Sequence, residues 1–183
     1  MTMPDGKQLA SPPDDQPHRT VAESRVQLIH LMGPGDANAL GNVHGGVIMK
    51  LVDEAGALAS MRHARSYVVT VVMDSMTFLE PIRVGHVVVA TAELTYTGNT
   101  SMEARVEVVV EHPLTGEKRL TNTAYLVYVA IDEMGRPRPV TPLVATTPEE
   151  QARMEAARER QAYRKAQRAR EEAQRIHPGT PAG

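Results

Sequence analysis

HGGVIMKLVDEAGALASMRH, His44 to His63, is the stretch on which the reading of this 183-residue chain turns. From Gly46 onward its apolar residues recur with the period of an α-helix. At 100° per residue, Val47, Ile48, Leu51, Val52, Ala55, Leu58 and Ala59 form one broad apolar face. The opposite side carries Gly46, Met49, Lys50, Asp53, Gly56, Ala57 and Ser60. So wide an apolar face suits a helix packed into the concave side of a curled sheet. The small residues around the one carboxylate leave room for another object to approach closely, either a substrate or a second subunit.

Outward from the helix, the neighbouring segments read as strands. Arg25–Met32 precedes it, separated by a loop rich in Gly, Asp and Asn. Tyr67–Phe78, His86–Thr97, Ser101–His112 and Leu120–Ile131 follow, rich in Val and Thr and partly alternating. Gly98-Asn99-Thr100 and Pro113-Leu114-Thr115-Gly116 suit hairpin connections. One early helix and a run of consecutive strands predict an α+β fold with an antiparallel sheet rather than alternating βαβ units.

Composition sets three zones. Residues 1–22 are polar and Pro-rich and are expected to form a disordered arm. Residues 23–144 hold nearly all the β-branched and aliphatic side chains and form the domain. Residues 145–183 turn to Glu, Arg, Gln and Ala, and predict a charged helical extension ending in a Pro/Gly tail.

The chain is 42% hydrophobic and 23% charged, with a formal net charge of -2, which gives no field for a polyanion. With no Trp and one Phe, stacking platforms for single-stranded nucleic acid are scarce. The arginines of the tail are diluted by Glu149, Glu150, Glu155, Glu159, Glu171 and Glu172, so nucleic-acid binding is not expected there and packing on a neighbouring subunit is. Cysteine is absent, which excludes disulfides, thiolate metal sites and a cysteine nucleophile. The seven His show no metal-ligand spacing, and the sequence contains neither a G-x-S-x-G elbow nor a Walker phosphate loop. The reading is of a cytoplasmic protein with no membrane partner, since there is neither a secretory signal pattern nor a spanning apolar run.

The chemistry concentrates at the helix start. Gly46 and Asp53 lie on one face, about 10 Å apart along the axis. The amides of Gly45 and Gly46 open the helix, where N–H groups lack intrahelical partners and the dipole is positive, so they can hold a carbonyl oxygen as it gains charge. Asp53 can activate water as a general base or attack a carbonyl itself. On spacing alone, a lone helical Asp is more often a solvated surface residue, Gly-Gly a turn, and His44 a cap.

The stretch DANALGNVHGGVIMKLVDEAGAL, Asp36 to Leu58, resembles the signature of hot-dog-fold acyl-CoA thioesterases, in particular the cytosolic acyl-CoA hydrolase subgroup. Arg62-His63, DSMTFLEPIRVG (Asp74–Gly85), AELTYTGNTSME (Ala92–Glu103) and LTGEKRLTNTAYLVYV (Leu114–Val129) extend the resemblance over about residues 25–131. It implies a long helix wrapped by a curved antiparallel sheet, with two subunits pairing so that their sheets join. Asn38 of one chain is then expected to serve the site of Asp53 in the other. The implied reaction is hydrolysis of acyl-CoA to a fatty acid and coenzyme A, needing no cofactor, since coenzyme A is part of the substrate. Its expected parts are an oxyanion site at Gly46 assisted by Gly45, Asp53 as base or nucleophile, Asn38 as orienting group, and His44 at the turn. Arg62, Arg65, Arg83, Lys118 and Arg119 are candidate partners for the coenzyme A phosphates, and Ser101 for pantetheine. A homodimer is the implied minimal unit and a trimer of dimers the implied assembly. The alternatives are a thioesterase or dehydratase acting on acyl carrier protein, and a non-catalytic acyl-CoA sensor.

Overall fold

A computed structural model describes residues 17–74, 76, 78 and 80–176. They fall into two compact units that divide between Val144 and Ala145. In the first, the elements run β1 (Arg19–Thr20), α1 (Val21–Ser24), β2 (Val26–Leu31), a 3-10 turn (Pro34–Asp36), α2 (Gly45–Ala64), β3 (Tyr67–Met73), β4 (Val87–Thr97), β5 (Ser101–Glu111), β6 (Lys118–Ile131) and β7 (Leu143–Val144).

α2 starts and stops where local chemistry dictates. His44 is its N-cap, with the imidazole accepting the amide of Gly46, and Arg62 and His63 in the last turn complement the negative end of the dipole. Arg65 closes the helix in the left-handed conformation at φ 50°. β2, β4, β5, β6 and β3 form, in that order, a five-stranded sheet in which every neighbouring pair is antiparallel. This is the α+β architecture expected from the sequence, with the sheet curled around α2.

The helix packs closely because the buried rows of the sheet alternate small and large residues. Ala92, Val106 and Ala124 lie in register across β4, β5 and β6, and Leu94, Ala104 and Leu126 form the next row. Met102 and Tyr128 follow, both fully buried.

The buried face of α2 differs from the one predicted. Ile48, Val52, Ala55 and Ala59 are buried as expected, but Gly56, Ser60 and His63 are buried with them, whereas Leu58 is 41% exposed. The stripe is turned toward the small residues because a tyrosine of the sheet occupies the space above Gly56. Two other expectations also change. Residues 19–22, assigned to a disordered arm, are ordered: Arg19 donates to the carbonyl of His63, Thr20 closes a capping box with Glu23, and β1 pairs in parallel with β7. The strand predicted as Tyr67–Phe78 ends at Met73; the amide of Asp74 makes one more bond, 2.9 Å to the carbonyl of Tyr125. The rest of the predicted N-terminal arm up to residue 16 lies outside the described residues, as do positions 75, 77 and 79 and the tail from 177.

The second unit contains α3 (Pro148–Ile176). Thr147 accepts the amide of Glu150 at 3.2 Å, while the Glu150 carboxylate accepts from the amide of Thr146 at 2.7 Å. Opposite charges pair along the helix, as at Arg158–Glu155 and Arg168–Glu172. Among the described residues, no helix is long and apolar enough to cross a membrane.

Candidate active site

Asp53 sits in the middle of α2, half-buried, and two hydroxyls from the sheet reach it. Thr70 Oγ1 donates to Asp53 Oδ1 at 2.8 Å. Tyr128 Oη donates to the Asp53 carbonyl oxygen at 2.9 Å and to Oδ1 at 3.2 Å. Thr70 and Tyr128 are partners across the β3–β6 ladder, and the register shifts just after Thr70, where Val71 forms a bulge. Burial first, then the charge of the Asp53 carboxylate and the hydrogen bond to it, push the Tyr128 phenol well above its ordinary range. The hydroxyl therefore keeps its proton and acts as a donor.

Gly56 makes this approach sterically feasible. A Cβ at position 56 would lie 2.4 Å from Tyr128 Oη and 3.0 Å from two ring carbons. The space left by the small residues of α2 is thus filled here by the chain's own sheet.

At the helix start, His44 Nδ1 accepts the Gly46 amide at 3.0 Å. The Gly46 N–H, expected as the principal oxyanion donor, is thus engaged by the cap within this chain. The Phe78 ring lies over Gly45, 3.5 Å from where a side chain would begin. Asn38 forms the turn before the helix, its Oδ1 accepting the amides of Leu40 at 2.9 Å and Asn42 at 3.2 Å. The side-chain oxygen of Asn38 is thereby used in the loop. Asn38, Gly45 and Phe78 line a common cavity of about 280 Å³ with Glu80, Pro81 and Ile82. Asp53 is not among the residues lining it, so the structure brings Asn38 and Gly45 together within one chain but does not bring Asp53 to Asn38.

The candidate cations separate. Arg83 and Arg119 line a second cavity of about 310 Å³ with His86, and this cavity shares Glu80 and Pro81 with the first. Arg119 is paired with Glu80. Lys118 pairs with Glu111 at 3.1 Å. Arg62 donates to the carbonyl of Arg25 at 2.6 Å, Arg65 lines a different cavity beside Arg136 and Arg138, and Ser101 belongs to the β4–β5 hairpin. Among the described residues no group of three His, Asp or Glu could hold a metal. The sequence reading missed Thr70 and Tyr128. Their signals were a hydroxyl inside the otherwise apolar run YVVTVVM, and a tyrosine in the inward register of β6.

Comparison with known proteins gives these features a family. The thioesterase superfamily model matches residues 40–117. An uncharacterised acyl-CoA thioester hydrolase of Bacillus subtilis is 38% identical over 132 residues, covering 72% of this chain and 77% of that protein. The chain belongs to the thioesterase superfamily. The mouse cytosolic acyl coenzyme A thioester hydrolase is 37% identical over 151 residues, or 81% of this chain, but this member of the superfamily spans only 40% of the mouse protein's length. In structure, an acyl-CoA hydrolase from Staphylococcus aureus, solved with butyryl coenzyme A and coenzyme A, superposes with a TM-score of 0.80 at 29% identity, covering 89% of this chain and 99% of that one. That enzyme has also been solved with one Asp, one Asn or one Thr replaced by Ala. A hexameric acyl-CoA thioesterase superposes with a TM-score of 0.79 at 39% identity, covering 83% of this chain and 97% of that one.

Proposed function

We propose that this chain hydrolyses acyl-CoA thioesters to a carboxylic acid and free coenzyme A, with Asp53 as the group that activates water. The observation that carries the reading is the anchoring of the Asp53 carboxylate: Oδ1 accepts two hydroxyls of the sheet, while Oδ2 remains for a water molecule. In the reaction, Oδ2 takes a proton as the water oxygen bonds to the thioester carbon. The carbonyl oxygen gains charge against the Gly45 amide at the positive end of α2, with the Asn38 NH2 group as a second donor. The carbon–sulfur bond then breaks, and the thiolate leaves and takes up a proton.

The Staphylococcus aureus variants support these assignments by position. The replaced Asn stands fifteen positions before the replaced Asp and the replaced Thr seventeen after it, the separations of Asn38, Asp53 and Thr70 here. Asn38 and Asp53 act across a subunit boundary in this reading, which accords with their lying apart within one chain. β3 is an outer strand of the sheet, and Tyr67, Val69 and Val71 on it are exposed. An unpaired apolar edge beside Thr70 is suited to pairing with a second copy. The trimer of dimers extends this reading through the hexameric neighbour. Arg83 and Arg119, whose cavity adjoins that of Asn38, are the cations best placed for the phosphates of coenzyme A.

The test follows free thiol release from acyl-CoAs of graded length. Asp53→Ala should lower turnover by at least about a hundredfold. Full turnover in folded Asp53→Ala protein would overturn the assignment, and coenzyme A ester binding without thiol release by the wild type would favour a sensor. Label found in the protein after a single turnover in ¹⁸O-labelled water would show direct attack by Asp53, since water then opens the mixed anhydride at the aspartyl carbon.

A further inference from the structure

We infer that Tyr128 is a positioning residue for the Asp53 carboxylate, and that Gly56 is glycine because the Tyr128 hydroxyl must pass through the space a side chain would fill. The inference rests on Asp53 being the reactive carboxylate.

The geometry is specific to Asp53. One hydroxyl contacts both the backbone carbonyl of that residue, at 2.9 Å, and its side-chain Oδ1, at 3.2 Å. A donor shared between those two atoms fixes the side chain relative to its own backbone. Thr70 supplies the second restraint at 2.8 Å on the same oxygen, but it belongs to the outer strand and is exposed. Tyr128 is 0% exposed and its ring is locked among core residues, so it is the rigid half of the pair. With Oδ1 held from two sides, Oδ2 has a defined direction in which to take a proton, and small errors in that direction are costly in rate. The helix interior disfavours glycine, yet position 56 cannot carry a Cβ with the hydroxyl in place, since the two would lie 2.4 Å apart. The sequence thus accepts a weaker helix in order to bring a buried phenol to the carboxylate.

The test is Tyr128→Phe in the full chain, assayed by thiol release and by urea unfolding. The ring remains, so the core keeps its volume. The expected result is a loss of about tenfold in kcat with KM within about twofold, because an orienting contact matters to the proton transfer more than to substrate binding. Thr70→Val should give a comparable loss. The double variant should lose less than the product of the two, since both hydroxyls act on one oxygen. A lowered urea midpoint with unchanged kcat would show a purely structural hydroxyl and overturn the inference, and so would a change confined to KM. If Tyr128→Phe fails to fold, Gly56→Ala displaces the same hydroxyl and should lower kcat in the same way; an unchanged kcat there is equally fatal. Asp53→Ala in the same assay separates the two levels. Full turnover in Asp53→Ala overturns both readings, whereas a dead Asp53→Ala beside a wild-type kcat in Tyr128→Phe overturns the positioning role alone.

Discussion

Gly56→Ala should destabilise the protein, although alanine is the better helix former. On an unhindered helix the exchange is worth about 1 kcal/mol in favour of alanine. Here the new methyl group would meet Tyr128 Oη at 2.4 Å and the ring carbons Cε2 and Cζ at 3.0 Å. None of these atoms belongs to the loose end of a surface side chain: Tyr128 is 0% exposed, and it stands in register between Met102 and Thr70 on the two neighbouring strands. Either the ring or the helix must give way, and overpacking of this kind costs about 1–3 kcal/mol. Subtracting the helical gain leaves a net loss of about 1 kcal/mol. With a urea slope of about 2 kcal/mol per molar, the midpoint should fall by about 0.5 M at fixed protein concentration. In a Tyr128→Phe background the 2.4 Å contact is gone and only the ring contacts remain, so the same substitution should cost less than half as much. A midpoint that rises in Gly56→Ala, as it would on an open helix, refutes the claim that the phenol occupies that space.

Two further outcomes follow from the geometry. Asn38→Ala should cut turnover by about tenfold or more while light scattering gives an unchanged assembly mass, because the side chain organises a surface loop and not the core. Burial, then His112 and the guanidiniums of Arg119 and Arg83, hold His86 below its ordinary value of 6.5, with Glu117 pulling the other way. The folded protein therefore prefers the neutral ring. The stability it contributes is present above about pH 6.5 and is lost as pH falls, because the unfolded chain takes up the proton first. Thermal unfolding between about pH 7.5 and 5.5 should show this slope, and His86→Gln should flatten it.

How far the sequence could be read depended on whether a residue's role is local. The start of α2 is written in His44-Gly45-Gly46, because a cap and two glycines act on their own backbone. The strands from Val87 to Ile131 are written in alternation, because each has one face on the core. Within the loop before the helix, Asn38 was legible as a group and its Oδ1 bonds to Leu40 and Asn42 follow from the turn it makes. The engagement of the Gly46 amide by the cap was not legible, since it hinges on which atom of His44 turns toward which amide. β1 and β7 were missed because strands of two residues carry no period, and the ordering of Arg19 depends on a carbonyl 44 positions away at His63.

The small residues of α2 were the hardest to read, and they show why a carboxylate's setting cannot be inferred from its own helix. Gly56 and Ser60 on the side of Asp53 signal only that something comes close. A substrate, a partner chain and the protein's own sheet all satisfy that signal equally. What decides among them is the register between β3 and β6, which sets Thr70 opposite Tyr128 and carries both hydroxyls to one oxygen. That register is the product of alternation along two strands 58 positions apart at the pair itself, with a bulge at Val71 to adjust it. A slip of one residue would turn Tyr128 to the other face of the sheet, leave Gly56 facing a void and strip Asp53 of its buried donor. The strand pairing and the aim of Asp53 are therefore the same structural fact, which is why a change at Gly56, three residues along the helix, should be felt both in the unfolding midpoint and in kcat.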